Sequence, residues 1–69
     1  MNLIEFEGKF VTITTKKGDK FDGFVTDYIY PDDNEPEGVA GICIDKCPQK
    51  PGKWLGFNED QIATIEVKE

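Results

Sequence analysis

Lys9 to Tyr30 reads KFVTITTKKGDKFDGFVTDYIY, and this stretch leaves the chain little choice of fold. Two runs of alternating β-branched and aromatic residues flank Lys16-Lys17-Gly18-Asp19, a β-hairpin signature. The second run is long for a strand and carries Gly23 in its middle. A glycine inside a strand marks a bend where a sheet curls over itself. A long bent strand in a chain of 69 residues predicts a small β-barrel.

That length also predicts one domain. Chains near this size bury only about 60% of the surface that their unfolded form exposes. The core is therefore expected to use few, large side chains, and five Phe, two Tyr and one Trp fit that need. A closed barrel would also remove sheet edges, which a small β protein must otherwise protect. No apolar run approaches the ~20 residues of a membrane span. The start, MNLIEFEGK, lacks the basic and apolar regions of a signal peptide. A soluble, cytoplasmic protein with no membrane partner is expected. Cys43 and Cys47 would lie about 13 Å apart along one extended strand. A disulfide needs Cα atoms within about 7 Å, so free thiols are the simpler reading.

Taken in order, Asn2 is a good N-cap, Glu5 stands in capping-box position and Gly8 suits the residue after a helix. One or two helical turns are expected there, lying on the barrel; an extended lead-in is the alternative. Strand one is Phe10 to Thr15, with Val11 and Ile13 on one face. Strand two is Lys20 to Tyr30. Its Phe21, Gly23, Val25 and Ile29 share the core parity, which leaves Phe24, Tyr28 and Tyr30 on the wet face. A change of face past the bend, or a partner, would bury them. Pro31 to Gly38 is a loop with four acids, Asp32, Asp33, Glu35 and Glu37. Val39 to Asp45 is strand three, with Ile42 and Ile44 inward. Lys46 to Lys53 is a second loop, rich in Pro, Gly and Lys. Trp54 to Phe57 is strand four, Asn58 to Gln61 a 3₁₀ turn. Ile62 to Val67 is strand five, with Ile65 and Val67 on one face and Ile62 out of step. The expected fold is mainly β, a small five-stranded SH3-like open barrel with a short N-terminal helix.

Within that group the chain resembles the Sm-like (LSm) family, in particular its short bacterial members with an acidic Asp-Asn-Glu-Pro loop. Gly8, Val11, Ile13, Gly18, Phe21, Gly23 and Val25 fit the family's first motif, and Asp32 to Asn34 with Ile42-Cys43-Ile44 continue it. Ile62, Ile65 and Val67 reproduce the Ile-x-x-Ile-x-Val strand of the second motif. The resemblance spans almost the whole chain. It implies a helix over an open five-stranded barrel, and pairing of strand four with strand five of a neighbour to give a homo-oligomeric ring. It also implies RNA binding by the loop after strand two and the turn before strand five. Where the family carries a basic residue and a glycine in that turn, this chain has Asn58 and Glu59. Asp32 stands where a stacking aromatic is expected, two residues before Asn34.

Charge points the same way. The net charge is −6 and every basic residue is Lys. Phosphate recognition rests on cations, and Arg is its usual bidentate reader. Tyr28, Tyr30, Phe24 and Trp54 are suited to stacking bases or to an oligomer interface. Lysines cluster at 9, 16, 17 and 20 and again at 46, 50 and 53. The loop acids suit a divalent cation, but Pro36 breaks the EF-hand spacing and a solvated loop is the simpler reading. With two Cys and no His the chain has too few ligands for a closed zinc site. No Ser and no His are present, so no activated nucleophile is evident, and no enzyme, metal or cofactor is expected. The expected function is a non-catalytic binding or assembly module that makes protein contacts; the alternative is an RNA-binding ring. The candidate binding residues are Tyr28, Tyr30, Asp32, Asp33, Asn34, Asn58 and Glu59.

Overall fold

The computed structural model describes residues 2–36 and 38–68. Its core is aliphatic: Leu3, Val11, Ile13, Val25, Ala40, Ile42, Ile44, Cys47 and Ile62 are buried together. The expected aromatic core is not found. Phe6, Phe21, Tyr28 and Phe57 pack against the cluster only partly buried. The interior of so small a barrel has room for branched aliphatics, while rings fit around its rim. Each fully buried Val, Leu or Ile contributes about 1.5–3 kcal/mol.

Five antiparallel strands build the sheet: β1 (Phe10–Thr15), β2 (Lys20–Ile29), β3 (Gly41–Asp45), β4 (Leu55–Asn58) and β5 (Ile62–Val67). Their order is β4-β3-β2-β1-β5. Three 3₁₀ turns complete it: η1 (Leu3–Phe6), η2 (Pro31–Asp33) and η3 (Glu59–Gln61). Among the described residues no helical layer covers the inner face, yet Val11, Ile13, Val25, Ile42 and Ile44 are fully buried. The sheet therefore curls around its own inner face and stays open between β4 and β5. The expected mainly-β, five-stranded open architecture with a short N-terminal helix is what forms.

Gly23 permits the curl. It pairs with Val11 on β1, and a Cβ at this position would stand 2.8 Å from the Asp45 carbonyl oxygen and 2.9 Å from Ile44 Cδ1. Two bulges then set which residues face inward. Register shifts between Val25 and Asp27 against β3, so Tyr28 pairs with Ile42 and turns to the core. Ile29, expected inside, pairs with Gly41 on the opposite face. A bulge adds one residue, so every later side chain changes face. A second shift lies between Thr14 and Thr15 against β5. It pairs Thr15 with Ile62 and explains the odd spacing: Ile62 joins Ile65 on the inner side.

The N-terminal cap differs from expectation. η1 is a 3₁₀ turn of four residues, and the Asn2 side chain makes no capping bond. So short a turn closes with backbone bonds instead, from Glu5 N–H to Asn2 O and from Glu7 N–H to Ile4 O. Glu7, rather than Glu5, supplies the side-chain contact, accepting from Tyr28 N–H at 3.3 Å. Leu3 seals the core and Ile4 stays exposed. Gly8 does adopt the left-handed φ of +79° expected of it. Strand ends shift by one or two residues: β2 stops at Ile29 because Pro31 opens η2, and β3 starts at Gly41 because Asn34 holds the Val39 carbonyl. Cys47 is buried although it lies in a loop, and Cys43 is half-buried; both are free.

Candidate functional site

The seven candidate residues gather at one end of the sheet, at the exit of β2 and the turn from β4 to β5. Two amides join these places. Asn34 Nδ2 donates to Asn58 Oδ1 at 2.8 Å and to the Val39 carbonyl at 2.8 Å. Asn58 opens η3 with a capping box: its side chain accepts from the Gln61 backbone, and Gln61 Oε1 accepts from Asn58 N–H at 2.8 Å. Glu59 N–H donates to Ala40 O at 2.8 Å. Gly41 lies beneath, where a Cβ would come within 3.3 Å of Asn34 Nδ2 and 3.5 Å of Asn58 Oδ1. The bridge needs that space. Gln61 and Gly41 were absent from the sequence-derived site. The spacing Asn58-x-x-Gln61 carried a signal for the first, since it is a capping-box pattern; nothing local marked the second.

The tyrosines form a pair of their own. Their ring centroids stand 4.9 Å apart at 85°, edge to face. Tyr28 is half-buried on the core, whereas Tyr30 is 57% exposed. Asp32 and Asp33 sit exposed in η2. Together with Glu35 the turn borders a shallow depression of about 550 Å³, lined by Pro31, Asp32, Glu35, Pro36 and Gly38. Glu37 lies outside the described residues. Among the described residues no three His, Cys, Asp or Glu side chains come together as a metal site. The structure thus joins Asn34 to Asn58 and Tyr28 to Tyr30, ties Glu59 by its backbone to Ala40, and leaves Asp32 and Asp33 facing solvent.

A second polar cluster escaped the sequence reading. Thr12 Oγ1 donates to Asp22 Oδ1 at 2.6 Å, and Gln49 Nε2 donates to Asp22 Oδ2 at 3.2 Å. Asp22 N–H donates to Gln49 Oε1 at 3.1 Å, and Cys47 Sγ donates to the same oxygen at 3.2 Å. Lys68 Nζ stands 3.5 Å from Asp22 Oδ1. The Thr12 bond first, then Gln49, hold the Asp22 carboxyl below its ordinary 3.8, with the Lys68 charge adding to them. Cys43 is driven the other way: burial, then the nearby Asp27 charge, pushes its thiol up. A thiol kept protonated is a poor nucleophile and a poor metal ligand.

Both edges of the sheet are open, since among the described residues no ladder joins β4 to β5. Their backbone direction follows from the bonds that are made. Lys68 N–H donates to Phe10 O at 2.7 Å, and hydrogen-bonded pairs alternate along an antiparallel ladder. Ile65 and Val67, paired with Ile13 and Val11, therefore turn their N–H and C=O groups away from β1. On β4 the Glu59–Ala40 bond sets the same alternation, and Gly56 turns its backbone outward opposite Cys43. Nothing crowds Gly56, where a Cβ would meet no atom within 4 Å.

Comparison of the chain with protein-family profiles, with curated proteins and with solved structures gave no match. Among the described residues no helix is long and apolar enough to cross a membrane.

Proposed function

We propose that this chain is a non-catalytic assembly module of the Sm-like kind, which makes protein contacts and self-associates through its two sheet edges. The observation that carries this reading is the pair of open edges at opposite ends of one sheet. An edge strand with free N–H and C=O groups is a template for another strand. Neither β4 (LGFN) nor β5 (IATIEV) carries the Pro or Lys that blunts such an edge. Pairing β4 of one copy with β5 of the next is a head-to-tail contact, which closes into a ring when the rotation allows. The resemblance of Ile62, Ile65 and Val67 to the family's last strand supports the same partner for β4. The reading places the chain in the cytoplasm, where free thiols such as Cys43 and Cys47 persist.

Native mass spectrometry of the untagged protein tests it. The expected mass is that of a closed oligomer without nucleic acid. Val67→Pro removes an outward N–H and leaves the Phe10–Lys68 bond in place, so it should give a folded monomer. A monomeric native protein would sink the edge-pairing reading. An oligomer that carries RNA would restore the ring-type RNA binder despite Asn58 and Glu59.

A further inference from the structure

The outer face of the sheet carries a row of side chains that the reading above does not use. Phe10 pairs with Phe24 across β1 and β2, and Phe24 pairs with Asp45 across β2 and β3. Asp45 and Trp54 flank the last pair of the β3–β4 ladder, Ile44–Leu55, and line one depression together. Opposite residues in an antiparallel pair project from the same face. The phenyl rings touch at a centroid distance of 5.0 Å, and Lys46 Nζ lies 5.6 Å from the Phe24 centroid. Phe10 is 48% exposed and Trp54 is 74% exposed. Two depressions flank the row and share Lys46. One, of about 360 Å³, is lined by Phe10, Asp22, Pro48 and Lys68 among others; the second, of about 280 Å³, includes Asp45, Lys53 and Trp54. Lys46 itself holds a left-handed φ of 55°, uncommon for a residue with a side chain.

Three features identify an occupant. Exposed aromatics in a row suit proline and tyrosine rings. At the Trp54 end two ammonium groups, Lys46 and Lys53, stand against one carboxylate, Asp45; at the Phe10 end Lys68 is paired with Asp22, and Asp22 and Glu66 flank Thr12 on the same face. The Trp54 end of the face is thus locally basic in a chain of net charge −6, and favours an acidic partner. Matching chemistry exists on the chain itself: Tyr30-Pro31-Asp32-Asp33-Asn34-Glu35-Pro36, with an exposed tyrosine, two prolines and three exposed acids. It cannot reach its own row. The end of β2 lies about 17 Å along the strand from Phe24, and Asn34 fastens the loop to Asn58.

We propose that the row of Phe10, Phe24 and Trp54, with Lys46, Lys53 and Lys68 beside it, docks the acidic segment Tyr30–Pro36 of a second copy of this chain. The contact uses the face of the sheet and is separate from edge pairing. Trp54 is the chain's one tryptophan, so its emission reports the row directly. The probe is a capped synthetic peptide of residues 30–36, titrated into the intact protein. Because the peptide is added in trans, the result does not depend on the edges. A saturable emission shift is expected, weakened about tenfold by Asp32→Asn, Asp33→Asn and Glu35→Gln in the peptide and by Lys53→Glu in the protein. No saturable shift, or an equal shift with the neutralised peptide, overturns the proposal. So does a short single-stranded oligonucleotide that shifts the emission at lower concentration than the peptide.

Discussion

The Asn34–Asn58 bridge ties the loop after β2 to the end of β4, and the Gln49–Asp22 latch ties the loop after β3 to β2, with different chemistry. The first joins two neutral amides, and neither partner titrates. The second ends on a carboxylate, which receives Thr12, Gln49 and Lys68 at once. Neutral bonds hold at any pH but contribute only about 1 kcal/mol each. Bonds to an ionised group are stronger, and they last only while the group stays charged. The amide bridge therefore contains no group that titrates, and the carboxylate latch does.

Breaking the curl of β2 is the largest expected effect. Gly23→Val would push a side chain into the Asp45 carbonyl and Ile44, where a Cβ alone would stand 2.8 Å from the carbonyl oxygen. Overpacking of this kind costs about 3 kcal/mol. In a domain this small that lowers Tm by roughly 12–24 °C. A variant that melts with the parent in a calorimeter would show that the curl does not depend on Gly23.

Next is the neutral bridge alone. Asn58→Ala removes the cap of η3 and the partner of Asn34 together. Lost caps cost about 0.5–2 kcal/mol, which corresponds to a drop of roughly 2–16 °C in Tm. Amide exchange should quicken at Gln61, whose backbone donates to the cap, and remain unchanged at Asp22 in the latch. Faster exchange at both sites would mean that the straps are coupled.

The acid-sensitive strap gives the third test. Its sign follows from the depressed carboxyl of Asp22: the contribution is complete above the ordinary value of 3.8 and is lost as pH falls below it through the folded value. A pH titration followed by carboxyl carbon shifts should place Asp22 below that of an unstructured aspartate. The Gln49 side-chain amide should move with it, and the Asn34 side-chain amide should stay still. An Asp22 midpoint at or above 3.8 would remove the latch from the account.

How far the sequence reveals these parts depends on the range of the contacts. The hairpin at Lys16 to Asp19, the special role of Gly23 and the turn before β5 are local patterns, and they were legible. The two bulges were not, because a register shift depends on both strands of a pair. Tyr28 and Ile29 accordingly exchanged faces, and the odd position of Ile62 made sense only beside Thr15. Asn34 and Asn58 were each marked by their turns, but nothing in a linear reading brings residues 24 positions apart into one bond. Asp22 looked like an ordinary wet-face residue until Gln49 closed over it. Cys47 was unreadable for the same reason, since its burial comes from a loop folded against β2.

The smallest expected effect sharpens the comparison most at the acidic loop. If the neutral bridge holds this loop, its exposed carboxylates contribute nothing to the fold. Asp32→Asn and Asp33→Asn, made together, should leave stability within about 0.5 kcal/mol of the parent. The Asn34–Val39 and Asn34–Asn58 bonds would be unchanged, because neither uses a charge. A chemical denaturation curve with the same midpoint is the expected result. A clear gain in stability would show that repulsion between the acids strains the loop, and a loss would show that the acids help to hold it. Either shift would transfer part of the fastening from the amides to the carboxylates, and the two straps would no longer differ in kind.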